Sequence, residues 1–190
     1  MKCLHMQDGK KGDLLKAALE LFSEKGYDAV SVRDIAKAAG VSEAALYKHY
    51  KGKEDMALYI FSAIIEDYTN RLHGIDAMPL TSVDKLCRIA EVTYDLYEHN
   101  PAEIKLTLLS QYIFWDKVPE SIKPHFVIKG VIQSGMDNGE FPRQEVYLLI
   151  SIFTGIMLQP LSQYQYFYDV LPEFNDIKRE ICRTIRKVFS

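Results

Sequence analysis

A helical repeat of apolar residues runs through almost the whole chain, whereas the alternating pattern of a half-buried strand is nearly absent. In the segment GDLLKAALELFSEKG, Leu14, Leu15, Ala18 and Phe22 recur at steps of one helical turn. This spacing places apolar side chains on one face of an α-helix. Gly26 follows where a helix C-cap is expected. The sequence therefore predicts an all-α fold.

Two short helices are predicted to follow the first one. Ser31 and Asp34 have capping-box spacing, with Asp in place of the usual Glu, and they open an apolar pattern that ends at Gly40. Ser42 is placed to cap a third helix, which we expect to include Tyr50 before the KGK segment ends it. A pair of short helices joined by such a turn is typical of a helix-turn-helix, whose second helix enters the major groove of DNA.

The rest of the chain is predicted to form longer helices, giving about nine in total. A fourth amphipathic helix begins at Glu54 and runs to about Leu72. Proline, glycine and polar breaks divide the remainder. Further helices are expected at about 82–99, 101–114, 119–137, 143–163 and 172–189.

Composition and charge narrow the classes of function. The 190 residues are 48% hydrophobic with a net charge of -3, so a nucleic-acid site must be a local basic surface. The most apolar stretch, 146–158, is interrupted by small and polar residues and is shorter than the ~18 residues of a membrane span. Without a signal-peptide pattern, we expect a soluble, cytoplasmic protein with no membrane partner. Cys3, Cys87 and Cys182 lack metal-ligand spacing and are expected to be free thiols.

Rings and amines cluster on the predicted third helix. At about 100° per residue, Tyr50 lies beside the inward Leu46, while Ala44 and Lys48 point the other way, flanked by Tyr47. Small residues allow another surface to approach the backbone closely, and phenol and ammonium groups are good partners for phosphate. An ordinary solvated helix face would also carry such residues. The sequence that surrounds this helix favours DNA binding.

That wider sequence resembles the N-terminal DNA-binding domain of the tetracycline-repressor (TetR) family of bacterial transcription regulators. The resemblance covers about 12–58 and is most specific in ALELFSEKGYDAVS, in AGVS at 39–42 and in LY at 46–47. The rear of the chain resembles the family only in helix count and in the NGEFP segment. The resemblance implies a three-helix helix-turn-helix domain at 1–52. It also implies an effector-binding and dimerisation domain at 53–190, with helix four linking the two.

The resemblance also assigns the residues that contact DNA. Base reading is expected at the start of the third helix. Ala45 stands where a hydroxyl residue is common and favours apolar contact with a thymine methyl group, and Glu43 could accept a hydrogen bond from cytosine N4. Phosphate binding is expected at Tyr47, His49 and Lys53. The implied partner is a double-stranded, palindromic operator bound by a homodimer. The full set of expected DNA-binding residues is Ser31, Arg33, Ser42, Glu43, Ala44, Ala45, Tyr47, Lys48, His49 and Lys53.

A small, largely apolar effector and a dimer interface are expected in the rear domain, with no cofactor. Candidate effector contacts occupy inward or semi-inward helix positions, and several carry a hydroxyl or an indole N–H. They are Tyr68, Ile89, Thr93, Tyr97, Leu108, Tyr112, Trp115 and Phe126. The dimer candidates form apolar stripes on the last two helices, where an intramolecular core is the alternative that the residues leave open. They are Leu149, Ile150, Phe153, Met157, Ile177, Ile181 and Ile185.

Two other classes of function compete with this interpretation. An enzyme is disfavoured because the sequence contains no GxSxG, HExxH, CxxC or phosphate-binding glycine loop. The pairs Asp95 with His99 and Cys87 with Glu91 share helix faces, but pairs at this spacing are common. A DNA-binding or chromosome-organising protein of the same fold without an effector is the other alternative. An enclosed apolar cavity in the rear domain would distinguish the two DNA-binding proteins.

Overall fold

The computed structural model describes residues 9–110 and 114–189, and every regular element in these residues is helical. The all-α fold class is thereby confirmed. A π-helical turn, Lys105–Leu109, follows α6, and two 3-10 turns, Trp115–Lys117 and Glu120–Ile122, precede α7. The α-helices are α1 (Lys10–Lys25), α2 (Val32–Ala38), α3 (Glu43–Tyr47), α4 (Lys53–Asp76), α5 (Ser82–His99), α6 (Pro101–Ile104), α7 (Pro124–Asp137), α8 (Val146–Phe167) and α9 (Phe174–Val188).

The helix caps that the sequence predicted at Gly26, Ser31 and Ser42 are confirmed by hydrogen bonds or backbone conformation. The Ser31 hydroxyl accepts from the Asp34 N–H at 3.2 Å, and the Asp34 carboxylate accepts from the Ser31 N–H at 2.9 Å. This reciprocal capping box satisfies two N–H groups that the helix itself cannot satisfy. Ser42 accepts from the Ala45 N–H at 3.2 Å and starts α3. Gly26, at φ 81°, ends α1 in a conformation that suits glycine.

Several predicted helix boundaries were wrong. The helix expected at 101–114 is α-helical for four residues only. The Thr107 hydroxyl donates to the Glu103 carbonyl at 2.6 Å and competes with the backbone N–H for that acceptor, and the chain continues as a π turn. The helix expected from 119 begins at Pro124, since a proline disfavours the helical conformation of the preceding residue, here Lys123 with ψ 122°.

Three further helix boundaries differ from their predicted positions by part of a turn or more. The third helix ends at Tyr47, short of Tyr50. The fourth continues to Asp76, beyond Leu72. The eighth begins at Val146 because the Glu145 carboxylate accepts from the Leu148 N–H at 2.7 Å and caps the helix there.

Helix α8 is longer than the apolar stretch seen in the sequence. Its Val146–Tyr164 window is long and apolar enough to span a membrane by length and composition, so the expectation that it was too short was wrong. The core helix of a soluble protein meets the same criterion. Only 28% of this window is buried within the chain, which leaves one face of α8 uncovered.

The described residues form two compact units. The first contains the chain up to Asp67 together with His99–Ile122, and the second contains Tyr68–Glu98 together with the chain from Lys123. The division lies within α4. Each unit has its own buried apolar side chains. Those of the first include Leu14, Leu15, Phe22, Ile35, Leu46, Ile60, Phe61 and Phe114, and those of the second include Leu72, Leu86, Ile89, Tyr94, Val131, Phe153 and Ile185.

Candidate nucleic-acid interface

The α2–turn–α3 segment buries one side of each short helix and leaves the other side in solvent. Ile35 on α2 and Leu46 on α3 are fully buried. Gly40, at φ 66°, allows the chain to turn between the helices, and the Val41 N–H donates to the Ala36 carbonyl at 3.0 Å. Because the inward side chains fix the rotation of α3, its opposite side faces away from the unit.

Eight of the ten residues predicted to bind DNA are exposed, and the other two are half-buried. Tyr47 is 55% exposed. Tyr50, which the helical wheel places inward, is buried, and burial raises the pKa of its hydroxyl to about 12. Ala45 and Lys53 are half-buried. The exposed candidates are Ser31, Arg33, Ser42, Glu43, Ala44, Tyr47, Lys48 and His49.

The Ser31 side chain is engaged within its own helix start. Its hydroxyl donates to the Asp34 carboxylate at 2.5 Å and accepts from the Asp34 N–H. Hydrogen bonds from the Ser31 hydroxyl, and then from the Ser31 N–H, lower the pKa of Asp34. A phosphate that took a hydrogen bond from Ser31 would therefore replace Asp34 as the acceptor.

Lys53, at the first position of α4, is held by the segment that follows α1. Its Nζ donates to the Tyr27 carbonyl at 2.9 Å and lies 4.2 Å from the centroid of the Tyr27 ring. Next to it, Glu54 forms an ion pair with Lys117. An ammonium group has three donor hydrogens, so the bond to Tyr27 leaves Lys53 with donor capacity for a phosphate. Lys53 thus combines a structural contact with its expected role in DNA binding.

Sequence reasoning missed Tyr27 as the residue that positions Lys53. The two residues are 26 positions apart in the chain. Tyr27 also packs edge-on against Phe114, at 5.1 Å between ring centroids. Burial raises the pKa of the Tyr27 hydroxyl, and the Glu54 carboxylate adds to that rise. Aromatic residues in loops are common, so the sequence contained no signal that singled out Tyr27.

The predicted effector contacts fall into different parts of the structure. Leu108 and Trp115 belong to the first unit, and Tyr112 lies outside the described residues. In the second unit, Phe126 is 41% exposed. The remaining four candidates, Tyr68, Ile89, Thr93 and Tyr97, are buried in the second unit.

Three of these four residues are joined by buried hydrogen bonds. The Thr93 hydroxyl donates to the Ile89 carbonyl at 2.8 Å, so the Tyr68 hydroxyl donates to Thr93 Oγ1, also at 2.8 Å. One turn further along α5, the Tyr97 ring stacks on Phe174 with 6.0 Å between centroids. Burial raises the pKa of the Tyr97 hydroxyl, which stays protonated at neutral pH.

The predicted dimer residues are all buried within the single chain. Leu149, Ile150, Phe153 and Met157 on α8 are at most 8% exposed, as part of the apolar core of the second unit. The same is true of Ile177, Ile181 and Ile185 on α9, at most 9% exposed. The intramolecular alternative therefore accounts for their burial. The uncovered face of α8 instead includes Leu148, Ser151 and Gly155.

Comparison with known proteins identifies the family of the N-terminal part of the chain. Residues 14–60 match the family model described as bacterial regulatory proteins, tetR family. The HTH-type transcriptional activator FasR of Mycolicibacterium smegmatis is 29% identical over 120 residues, which cover 62% of this chain and 53% of that protein. The HTH-type transcriptional repressor KstR2 of the same organism is 26% identical over 140 residues, which cover 70% of this chain and 67% of KstR2.

A solved structure shares the fold over most of the chain. The transcriptional regulator FadR from Bacillus subtilis, in complex with stearoyl-CoA, aligns with a TM-score of 0.76 at 21% identity, covering 91% of this chain and 96% of FadR. Together with the exposed recognition helix, these matches define a helix-turn-helix, DNA-binding transcription regulator. Residues 14–60 of this regulator thus form a DNA-binding domain of the TetR family of bacterial regulatory proteins.

Proposed function

We propose that this regulator is a ligand-responsive repressor that acts in the cytoplasm and binds a palindromic operator as a homodimer. The observation that carries the proposal is the α2–turn–α3 segment, which buries Ile35 and Leu46 and exposes Ala44, Tyr47 and Lys48. A recognition helix of only five residues offers few base contacts. Two copies related by a two-fold axis would supply a second half-site and the affinity that one copy lacks.

The uncovered face of α8 supports the homodimer. On this face Leu148 is 54% exposed, and Ser151 and Gly155, one and two turns further along the helix, are exposed as well. At Gly155 an added Cβ would meet no atom of the chain within 4 Å. A second copy of α8 could therefore approach closely at this position. We assign dimerisation to this exposed face, supported from beneath by the buried residues that the sequence singled out.

The effector is proposed to bind in the rear domain, residues 53–190, next to α4 and α5. Tyr68 and Thr93 place buried, uncharged hydroxyl groups among apolar side chains, and these groups can orient the apolar part of a ligand by hydrogen bonds. Helix α4 begins at Lys53, beside the DNA-binding domain of residues 1–52, and also carries Tyr68. Movement of one rigid helix would thus couple the effector to the operator.

A fatty acyl thioester is the effector class that we propose to test first. FadR, which shares the fold, binds stearoyl-CoA. The candidate contacts in this chain, such as Ile89 and Tyr97, suit the apolar acyl part of such a molecule. To move the dimer decisively between its two states, the ligand must prefer one state by roughly 3–5 kcal/mol.

The proposed palindromic symmetry of the operator is tested by selecting binding sites from random duplex DNA with the purified full chain. We expect inverted repeats with two equal half-sites, because each protomer reads one half-site. The mass of the bound species, measured by light scattering, is expected to correspond to at least one dimer per site. Recovery of sites without inverted symmetry, bound by a monomer, would refute the homodimeric mode.

The effector is tested by titrating stearoyl-CoA into the protein–operator complex and following fluorescence anisotropy. Coenzyme A without the acyl chain is the matched control, since it shares the charged part of the ligand. We expect the operator to be released by stearoyl-CoA alone. Tyr97→Ala is expected to raise the ligand concentration that is required, with DNA affinity in the absence of ligand unchanged. If acyl thioesters of every chain length left operator binding unchanged, the effector-free regulator would be favoured instead.

A further inference from the structure

Helix α9 packs along α5 in the second unit through a row of side chains one turn apart. Lys178 forms an ion pair with Asp95 at 2.5 Å, and Arg186 forms one with Asp84 at 2.7 Å. The residue between them in this row is Cys182. The two ion pairs therefore fix the helices against each other on both sides of a cysteine.

The residue that faces Cys182 on α5 is a second cysteine. Cys87 Sγ lies 3.6 Å from the Cys182 carbonyl oxygen, and Cys182 Sγ lies 3.7 Å from the Cys87 carbonyl oxygen. Both thiols are free. Because each sulfur reaches the backbone carbonyl of the other residue, the two side chains lie side by side. Cys87 is buried, whereas Cys182 is half-exposed and gives a small oxidant access to the pair.

We propose that Cys87 and Cys182 form a dithiol that a peroxide oxidises to an intramolecular disulfide joining α5 to α9. In the first step the Cys87 thiolate sulfur attacks one oxygen of hydrogen peroxide. The O–O bond breaks, and the leaving hydroxide takes up the proton that the Cys87 thiol released, which gives water. In the second step the Cys182 sulfur attacks the resulting sulfenic acid. The S–O bond breaks, and the Cys182 proton leaves with the oxygen as water. Two thiols are oxidised and one peroxide is reduced to two waters.

The surroundings of the pair favour this order of steps. The hydrogen bond from the Cys182 S–H, and more weakly the Arg186 guanidinium, lower the pKa of Cys87, whereas burial opposes the change. The pKa of Cys182 is raised by the same thiol contact and by burial. Glu91, whose carboxylate lies 3.9 Å from Cys182 Sγ, adds to that rise. The first negative charge therefore rests on Cys87, and Cys182 remains the protonated, resolving thiol.

The proposal is tested by peptide mapping of the full chain. Fully reduced protein is treated with hydrogen peroxide, its remaining thiols are alkylated, and it is digested without a reductant. In most of the protein, Cys87 and Cys182 should both be protected from alkylation. Their two peptides should be recovered as one disulfide-linked pair, and dithiothreitol should separate that pair. The Cys3→Ser variant should give the same result, which excludes exchange with the remaining cysteine. The oxidised protein should also melt at a higher temperature than the reduced protein.

The matched variant is Cys182→Ser, which keeps a hydroxyl donor beside Cys87 and removes the resolving thiol. Peroxide should give this variant no linked peptide and no rise in melting temperature, and dimedone should label Cys87 as a sulfenic acid. If wild-type Cys87 and Cys182 stay alkylated after peroxide, oxidise separately to sulfinic acids, or link only between chains, the proposal is wrong. None of these outcomes depends on operator or effector binding, so the proposed function is tested separately.

Discussion

Lys53 shows how one residue can serve both the stability of the domain and its binding of DNA. Its amine is held by the carbonyl and the ring of Tyr27. Lys48, in contrast, is exposed on the recognition helix, and the structure leaves its side chain in solvent. The two lysines therefore allow the structural and electrostatic contributions to be separated.

We predict that Lys53→Ala lowers the free energy of unfolding by about 1–2 kcal/mol, because it removes a charge-assisted hydrogen bond and a cation–π contact. It should also weaken binding to all DNA sequences alike. The slope of log affinity against log salt concentration should become smaller by about one. Urea unfolding and anisotropy at several salt concentrations measure the two effects. Lys48→Ala is the control, with a similar loss in salt dependence and unchanged stability. A loss of stability in Lys53→Ala without any change in salt dependence would make Lys53 purely structural.

Helix α2 is the element most dependent on local hydrogen bonds. It has seven residues, and its only fully or nearly buried side chains are Ile35 and Ala36. A helix of two turns is marginal without support at its ends. The reciprocal bonds between Ser31 and Asp34 supply that support and fix the place where α2 begins.

We predict that the contribution of Asp34 to stability depends on pH. Its pKa is lowered in the folded state, so the charged form is stabilised on folding. The contribution is fully present above the ordinary aspartate pKa of about 3.9, and it is lost as the pH falls through the lowered value. In urea unfolding, wild type should be more stable than Asp34→Asn at neutral pH, and the difference should shrink in acid. A difference that is constant with pH would mean that the carboxylate charge is not what stabilises the cap.

Assembly of the whole molecule is expected to depend on the uncovered face of α8. In a two-fold interface the same patch of both copies meets, so one substitution is introduced twice. Leu148 is 54% exposed on this face, and a charge at that position should have little effect on a single chain. Leu80, between α4 and α5, is 42% exposed and provides a matched leucine elsewhere on the surface.

We predict that Leu148→Glu weakens dimerisation about tenfold or more, because two like charges would be buried in one interface. Sedimentation velocity over a range of concentrations measures the change, and circular dichroism checks that the helices are retained. Leu80→Glu should leave the dimer unchanged. A Leu148→Glu protein that remained as dimeric as wild type would place the interface on a different surface of the chain.

The sequence by itself determined the features that depend on near neighbours along the chain. The one-turn spacing of Leu14, Ala18 and Phe22 was enough for a helix, since side chains three or four residues apart share a face. The capping residues Ser31 and Ser42 could likewise be identified, because each bonds to an N–H three residues later. The exposed side of α3 followed from the same periodicity. The all-α fold and the exposed recognition helix are thus local consequences of the sequence.

Only the tertiary structure decided which distant residues meet. Tyr27 with Lys53 and Cys87 with Cys182 are pairs separated by 26 and 95 residues, and no periodic pattern relates such positions. The sequence could not decide whether Phe153 is buried within one chain or against a second copy, because an apolar stripe suits an internal core and a partner equally well. The physical reason is that packing between helices depends on which faces compete to leave water, and that competition involves the whole chain at once.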